Sequence, residues 1–272
     1  ARLMELEIEI DLPSLGDEGY VLRTVGPRLV IAGGEPRGTL YGVYQVLEDH
    51  LGCRWFTPAV SRLPKTDTVT VPELDERVVP PLEYREVMLF DAWDADWMAR
   101  NRVNTTKLPE ARHGGAMKFV PGYYVHTFYK LVPPGEYFAD HPEYFSEVDG
   151  VRLKEKGQLC CTNEDVIRIA TENVLEALRE HPEAKVISVS QTDGNDKYCR
   201  CETCAALDEK EGSHAAQVLY LVNRVAQAVE KEFPGRAVVT LAYEWSLTPP
   251  KTIRPRDNVI VRLSTIRCDF ST

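Results

Sequence analysis

Leu6, Ile8 and Ile10 alternate with Glu5, Glu7, Glu9 and Asp11, the period-two pattern of a half-buried strand. Gly16 to Gly19 read as a turn. Tyr20–Val25 and Arg28–Ala32 then read as two strands joined at Gly26-Pro27, a hairpin signal. Gly33-Gly34-Glu35-Pro36 breaks that pattern and opens a helix over about Arg37–Leu51, with Leu40, Val43, Tyr44 and Leu47 at helical spacing and Gly52 as the stop. Thr68–Val71 closes this region as a last strand, and Pro72, Pro80 and Pro81 mark a linker. Residues 1–76 are therefore expected to form a small α/β domain.

Beyond the linker, short apolar runs alternate with helical patterns. The runs Tyr84–Phe90, Tyr123–Thr127, Leu159–Thr162, Val186–Ser190, Val238–Tyr243 and Val259–Leu263 are expected strands. Glu164–Arg179, opened by Asn163, and Ala215–Phe233, closed by Pro234-Gly235, are expected helices. Strands separated by helices imply parallel pairing, because a parallel pair needs a long crossover. The expected fold class is thus α/β, with the small domain followed over 82–272 by a (β/α)8 TIM-type barrel. A whole barrel takes ~250 residues, so this one is expected to stop before its last strands.

Composition narrows the partners. Hydrophobic residues make up 43% and charged residues 27% of 272, enough for a substantial core. Lys and Arg number 32 against 42 Asp and Glu, a net charge of −10. Such a chain lacks the basic stripe that nucleic acid requires and is disfavoured at an anionic membrane surface. No apolar run reaches the ~18 residues of a spanning helix. The first residue is Ala1 with no signal segment before it, as expected of a mature form or an excised piece. Seven cysteines, an odd number, do not make a disulfide framework in a chain this long.

Enzymes built on parallel barrels carry their chemistry where strands end. After Val186–Ser190 comes Gln191-Thr192-Asp193-Gly194-Asn195-Asp196, whose carboxylates and amides suit proton transfer or sugar hydroxyls, or an ordinary Asp-Gly turn. The next strand ends Tyr243-Glu244-Trp245, a carboxylate beside aromatic faces, as a glycosidase offers a pyranose; a core Trp with a solvated Glu has the same look. Arg85 on the first strand suits clamping a substrate group or a structural ion pair, and His126 sits among aromatics as a substrate ligand or a hydrogen-bonded core residue. Cys199, Cys201 and Cys204 fall within six residues. With Cys160 or Cys161 they suggest a structural zinc, or disulfides with one to Cys160.

These segments together resemble known carbohydrate-active proteins. The runs Arg28–Gly34, Gly38–Tyr44 and Gly52–Phe56 resemble the small N-terminal domain of family 20 hexosaminidases and family 67 α-glucuronidases. Val125–Phe128, His141–Phe145, Gln158–Cys160, Ser188–Gln191 with Asp193-Gly194, the cysteine cluster, Ala242-Tyr243 with Pro249-Pro250, and Cys268-Asp269-Phe270 resemble the bacterial domain of unknown function family 4838. Some members of that group are classed as glycoside hydrolase family 163, endo-β-N-acetylglucosaminidases acting on complex N-glycans. The resemblance implies a glycan substrate and a secreted, periplasmic or cell-surface location. On the hydrolase reading, Asp193 and Glu244 are expected as the acidic pair, with Arg85, His126, Gln191, Asn195, Tyr243 and Trp245 around the sugar. No cofactor would be required for catalysis. The rival expectations are a glycan-binding module without turnover and an interaction protein organised by structural zinc.

Overall fold

The computed structural model describes residues 9–87, 89–105, 110–194, 196–267, 269 and 271. The expected opening strand around Leu6 and Ile8 lies outside them. The chain divides into two compact units, Ala1–Met117 and Lys118–Thr272.

In the first unit, β1 (Tyr20–Val25) and β2 (Arg28–Gly33) form the expected hairpin, in register from Tyr20↔Gly33 to Val25↔Arg28. Helix α1 (Gly38–Gln45), extended by a π-helical turn over Val46–His50, packs on this sheet. Gly42 makes that approach possible: a Cβ there would stand 2.7 Å from Ile31 Cγ2. Tyr20, Leu22, Tyr41, Val46 and Leu74 are the buried apolar cluster between them. Short strands β3 (Arg54–Trp55) and β4 (Ser61–Arg62) pair with each other. The third strand of the main sheet is not Thr68–Val71, which is irregular, but β5 (Asp75–Val78), antiparallel to β1.

Helix α2 (Ala95–Arg100) follows, its N-cap Asp94 accepting from Trp97 N at 2.7 Å. The described residues of Tyr84–Phe90 form no strand. Asn104 takes the backbone groups a ladder would need: its side chain accepts from Arg85 N at 2.8 Å and donates to Glu83 O at 2.7 Å. The same amide donates at 2.8 Å to Glu18, a buried carboxylate that also accepts from Arg37 Nε at 2.7 Å and from Arg85.

The second unit opens with α3 (Phe128–Leu131), α4 (Pro134–Tyr137) and a tight hairpin of β6 (Glu147–Val148) and β7 (Val151–Arg152). Next come α5 (Glu164–Glu180), β8 (Val186–Ser188), α6 (Glu202–Glu211), α7 (Ala215–Glu232), β9 (Ala237–Ala242) and β10 (Val259–Leu263). The three strands form a parallel sheet in the order β8-β9-β10, and Phe119 adds a parallel bridge to Val186. Helix α5 is capped by Asn163, which accepts from Asp165 N and Val166 N at 2.9 and 3.2 Å. Its apolar stripe and that of α7 meet over Val174, Leu178, Leu221, Val225, Ile187 and Val238, all fully buried. Arg179 clamps Glu232 across the two helices at 2.7 and 2.8 Å.

The barrel expectation is corrected. Among the described residues there is no closed barrel, and the fold is mixed α/β with small sheets and seven α-helices. Three local causes account for this. Tyr123–Thr127 forms no strand, because the chain turns there and Ser190 O accepts from both Thr127 N and Phe128 N at 3.0 Å. Leu159 bridges Phe145 antiparallel, a direction an all-parallel barrel excludes. The crossover from β9 to β10 over residues 243–258 holds only a 3-10 turn, with Pro249, Pro250 and Pro255 denying it a helix. Among the described residues, β10 bonds to β9 alone and leaves Leu263 67% exposed. No helix among the described residues is long and apolar enough to cross a membrane.

Candidate functional site

The site is built on the C-terminal end of β8, where the ladder runs out and hydroxyls take over. Ser188 Oγ and Ser190 Oγ lie 2.9 Å apart, both fully buried. Thr127 Oγ1 donates to Ser188 O at 2.8 Å and accepts from Ser190 N at 3.0 Å. This hydroxyl ladder satisfies backbone that a neighbouring strand would otherwise pair. Ser190 Oγ also accepts from His126 N at 2.9 Å, holding His126 at φ +56°. That left-handed backbone is uncommon for a residue other than Gly, and it recurs at Glu244 with φ +49°. Strain of this kind persists only where surrounding contacts over-determine it.

The His126 ring is fixed by its backbone neighbour. Nδ1 lies 2.9 Å from Gln191 O, and a carbonyl can only accept, so Nδ1 carries a proton. Nε2 then faces Asp193 Oδ1 at 3.6 Å. Tyr243 OH donates to that same oxygen at 3.1 Å. The Asp193 side chain is 73% exposed, so one oxygen takes the Tyr243 hydroxyl, with the His126 ring beside it, while the carboxylate stays open to solvent. Burial, together with the hydrogen bond to Asp193 and its negative charge, holds the Tyr243 hydroxyl above its ordinary value of 10.0, so it remains a phenol that donates.

Gln191 is fully buried and does not reach outward. Its Nε2 donates to Ser246 Oγ at 2.7 Å and to Leu241 O at 3.3 Å, tying the end of β8 to the end of β9. Its Oε1 has no partner among the described residues. Glu244, next in line after Tyr243, accepts from Arg267 Nε and Nη2 at 2.9 and 2.8 Å, both on Oε2. Arg267 belongs to no sequence motif read above; it follows β10 and meets Glu244 only through the fold. Trp245 packs against the main core and sits 5.4 Å from Tyr198, ring to ring. These two rings, with Asp208, Ser213, His214 and Thr248, line a cleft of about 570 Å³. Tyr198 stacks on His214 at 3.9 Å, and His214 Nδ1 meets the buried Asp208 at 2.6 Å.

Of the expected site residues, His126, Gln191, Asp193, Tyr243, Glu244 and Trp245 thus gather at the ends of β8 and β9. Arg85 belongs to the first unit, where it pairs with Glu18 and donates to Arg102 O at 2.7 Å. Asn195 lies outside the described residues.

A second cluster lies in the same unit. The sulfurs of Cys160, Cys199, Cys201 and Cys204 all fall within 4.8 Å of one another, as free thiols. Cys160 Sγ is 3.7 Å from Cys201 and 3.9 Å from Cys204. Hydrogen bonds from Cys199 and then Cys204 pull the Cys160 thiol below its ordinary value. Cys161, by contrast, is buried and turned to Leu159 O, and burial pushes its thiol up.

No curated protein matches the chain. Residues 2–46 are similar to the family described as Glycosyl hydrolase family 67 N-terminus. Residues 55–272, the greater part of the sequence, match the family described as Domain of unknown function (DUF4838), and the chain belongs to that family.

Proposed function

We propose that this chain is part of a glycoside hydrolase acting on a glycan, with Asp193 as the group that exchanges a proton with the glycosidic oxygen. The observation that carries this reading is the open Asp193 carboxylate, positioned by Tyr243 OH and His126 where two parallel strands end. The similarity of residues 2–46 to a glycosyl hydrolase N-terminus supports the same class. Oδ1 accepts from Tyr243, which leaves Oδ2 to face substrate, and His126 Nε2 can share charge as the proton moves. Trp245, one residue past Glu244, lines a cleft and offers a half-buried ring on which a pyranose would pack.

Glu244 Oε2 is tied to Arg267 and its side chain is 18% exposed against 73% for Asp193, so Asp193 is the more open carboxylate of the pair. A sugar bearing a 2-acetamido group would supply its own nucleophile, the exception to the two-carboxylate scheme. This favours a β-N-acetylglucosaminide, and within that class the endo-acting cleavage of N-glycans for which glycoside hydrolase family 163 is defined. The acetamido oxygen would attack the anomeric carbon while Asp193 protonates the leaving oxygen. Water would then open the bicyclic intermediate with Asp193 as base. The same Glu244–Arg267 pair favours a second reading, a glycan-binding module without turnover.

The test incubates the protein with an N-glycoprotein and with an aryl β-N-acetylglucosaminide, alongside Asp193→Asn. Release of glycan or aryl alcohol by the parent, lost in the variant, is expected. Binding of the glycan with no release would replace hydrolysis by the second reading, and neither binding nor release would end both.

A further inference from the structure

We propose that Cys160, Cys199, Cys201 and Cys204 are the four ligands of a structural zinc ion. The sulfurs lie within 4.8 Å of one another, close enough for a single ion to reach all four. With Zn–S near ~2.3 Å, tetrahedral sulfurs stand about 3.8 Å apart, and Cys160 lies 3.7 and 3.9 Å from Cys201 and Cys204. A disulfide would bring two of them to ~2.05 Å, and all four are free thiols. Three sulfurs are buried and Cys201 is half-buried, so no ligand position is left open for substrate water. A closed four-sulfur set marks a structural rather than a catalytic ion.

The surroundings suit the charge that such a site carries. Zinc displaces four thiol protons to solvent and leaves a net charge of −2 on the metal and its ligands. Glu147 N donates to Cys199 Sγ at 3.4 Å, and Arg152 Nη1 stands 3.7 Å from the same sulfur. The Thr162 hydroxyl is 3.1 Å from Cys204 Sγ. Donors of this kind orient metal ligands and offset their charge. Cys201 caps α6 and Cys204 lies in its first turn, where the helix N-terminus favours thiolates. A cleft of about 410 Å³ lined by Glu143, Glu147, Arg152 and Cys201 gives the ion a path in.

The ion would pin the stretch from Cys199 to Cys204 onto the segment ending in Cys160. That stretch follows directly on the turn that carries Asp193, yet the site does not depend on the glycoside hydrolase reading. The experiment measures metal in protein purified without chelator, by elemental analysis and native mass spectrometry, with Cys53→Ala and Cys161→Ala as controls. One zinc per chain is expected in the parent and both controls, with zinc content falling about tenfold or more in Cys201→Ser. Cobalt exchanged into the parent should show the visible and near-ultraviolet bands of a tetrahedral tetrathiolate, which requires no variant to fold. Iron in place of zinc would overturn the proposal. So would a mass short by two hydrogens per bridge, or metal-free protein whose unfolding midpoint is untouched by equimolar zinc.

Discussion

Glu18 in the first unit and Asp193 in the second are carboxylates in opposite surroundings. Glu18 has an 8% exposed side chain and accepts from two arginines and the Asn104 amide. The carboxylate is buried between two guanidinium groups and an amide, so it serves to hold Arg37, Arg85 and Asn104 in place. Asp193 is 73% exposed and is met by a hydroxyl and an imidazole, groups that can themselves gain or release protons. The number and charge of the donors and the water left around the acceptor separate the two groups. Glu244 stands between the two, 18% exposed and held by Arg267.

Removing Glu18 is the hardest blow to that contrast. Glu18→Ala leaves two guanidinium groups without their shared partner, Arg37 only 5% exposed among them. It should cost about 3–5 kcal/mol of stability, read as a shift in the denaturant midpoint. A shift below ~1 kcal/mol would mean that water replaces the carboxylate and that Glu18 is not the anchor described.

Under the proposed function, Asp193→Asn lowers kcat by at least ~10²-fold while the unfolding midpoint stays put. A variant as active as the parent on a glycan with an unactivated leaving group would remove Asp193 from the chemistry. Glu244→Gln should cost less, under ~10-fold, because its partner Arg267 is 67% exposed and water can substitute for the lost charge. A dead Glu244→Gln beside an active Asp193→Asn would reverse the two roles.

The smallest effect belongs to Glu211, a second saturated carboxylate. It accepts from Thr252 Oγ1 and Thr252 N, the latter at 2.7 Å, and from Ile253 N at 3.1 Å, which holds its carboxyl below the ordinary 4.5. A depressed carboxyl stabilises the fold above its unfolded value, and that contribution is lost as pH falls through the folded one. Stability should therefore decline as pH drops below about 4.5, and Glu211→Gln should flatten that part of the profile. An unchanged acid limb, measured by urea midpoints against pH, would show that another group carries it.

The parts legible in the sequence are those where local pattern and tertiary need agree. The Gly26-Pro27 hairpin, the Asn163-capped helix and the runs that became β9 and β10 each carry a period and a stop signal of their own. The misreadings share one cause. Asn104, Thr127 and Ser190 satisfy backbone groups with side chains, so apolar runs at 84–90 and 123–127 need no strand partner, and no period in the sequence reports that. Helix α6 has no counterpart among the expected elements, since the cysteines at its start draw the reading to metal or disulfide chemistry. At the candidate site, reading outward from strand ends brings up Asp193, His126 and Tyr243. Arg267 escapes that reading because its only link to Glu244 is spatial, 23 residues on.

His126 carries two demands in one residue. Its backbone sits where Gly and Asn are at ease, while its ring must give one nitrogen to Gln191 O and turn the other to Asp193. A saturation library at this position, sequenced after a sort for soluble expression and again after a sort for turnover, should split. Gly and Asn would survive the first sort and vanish from the second. Histidine alone would persist in both, held there by a conflict between conformation and chemistry that no other side chain resolves.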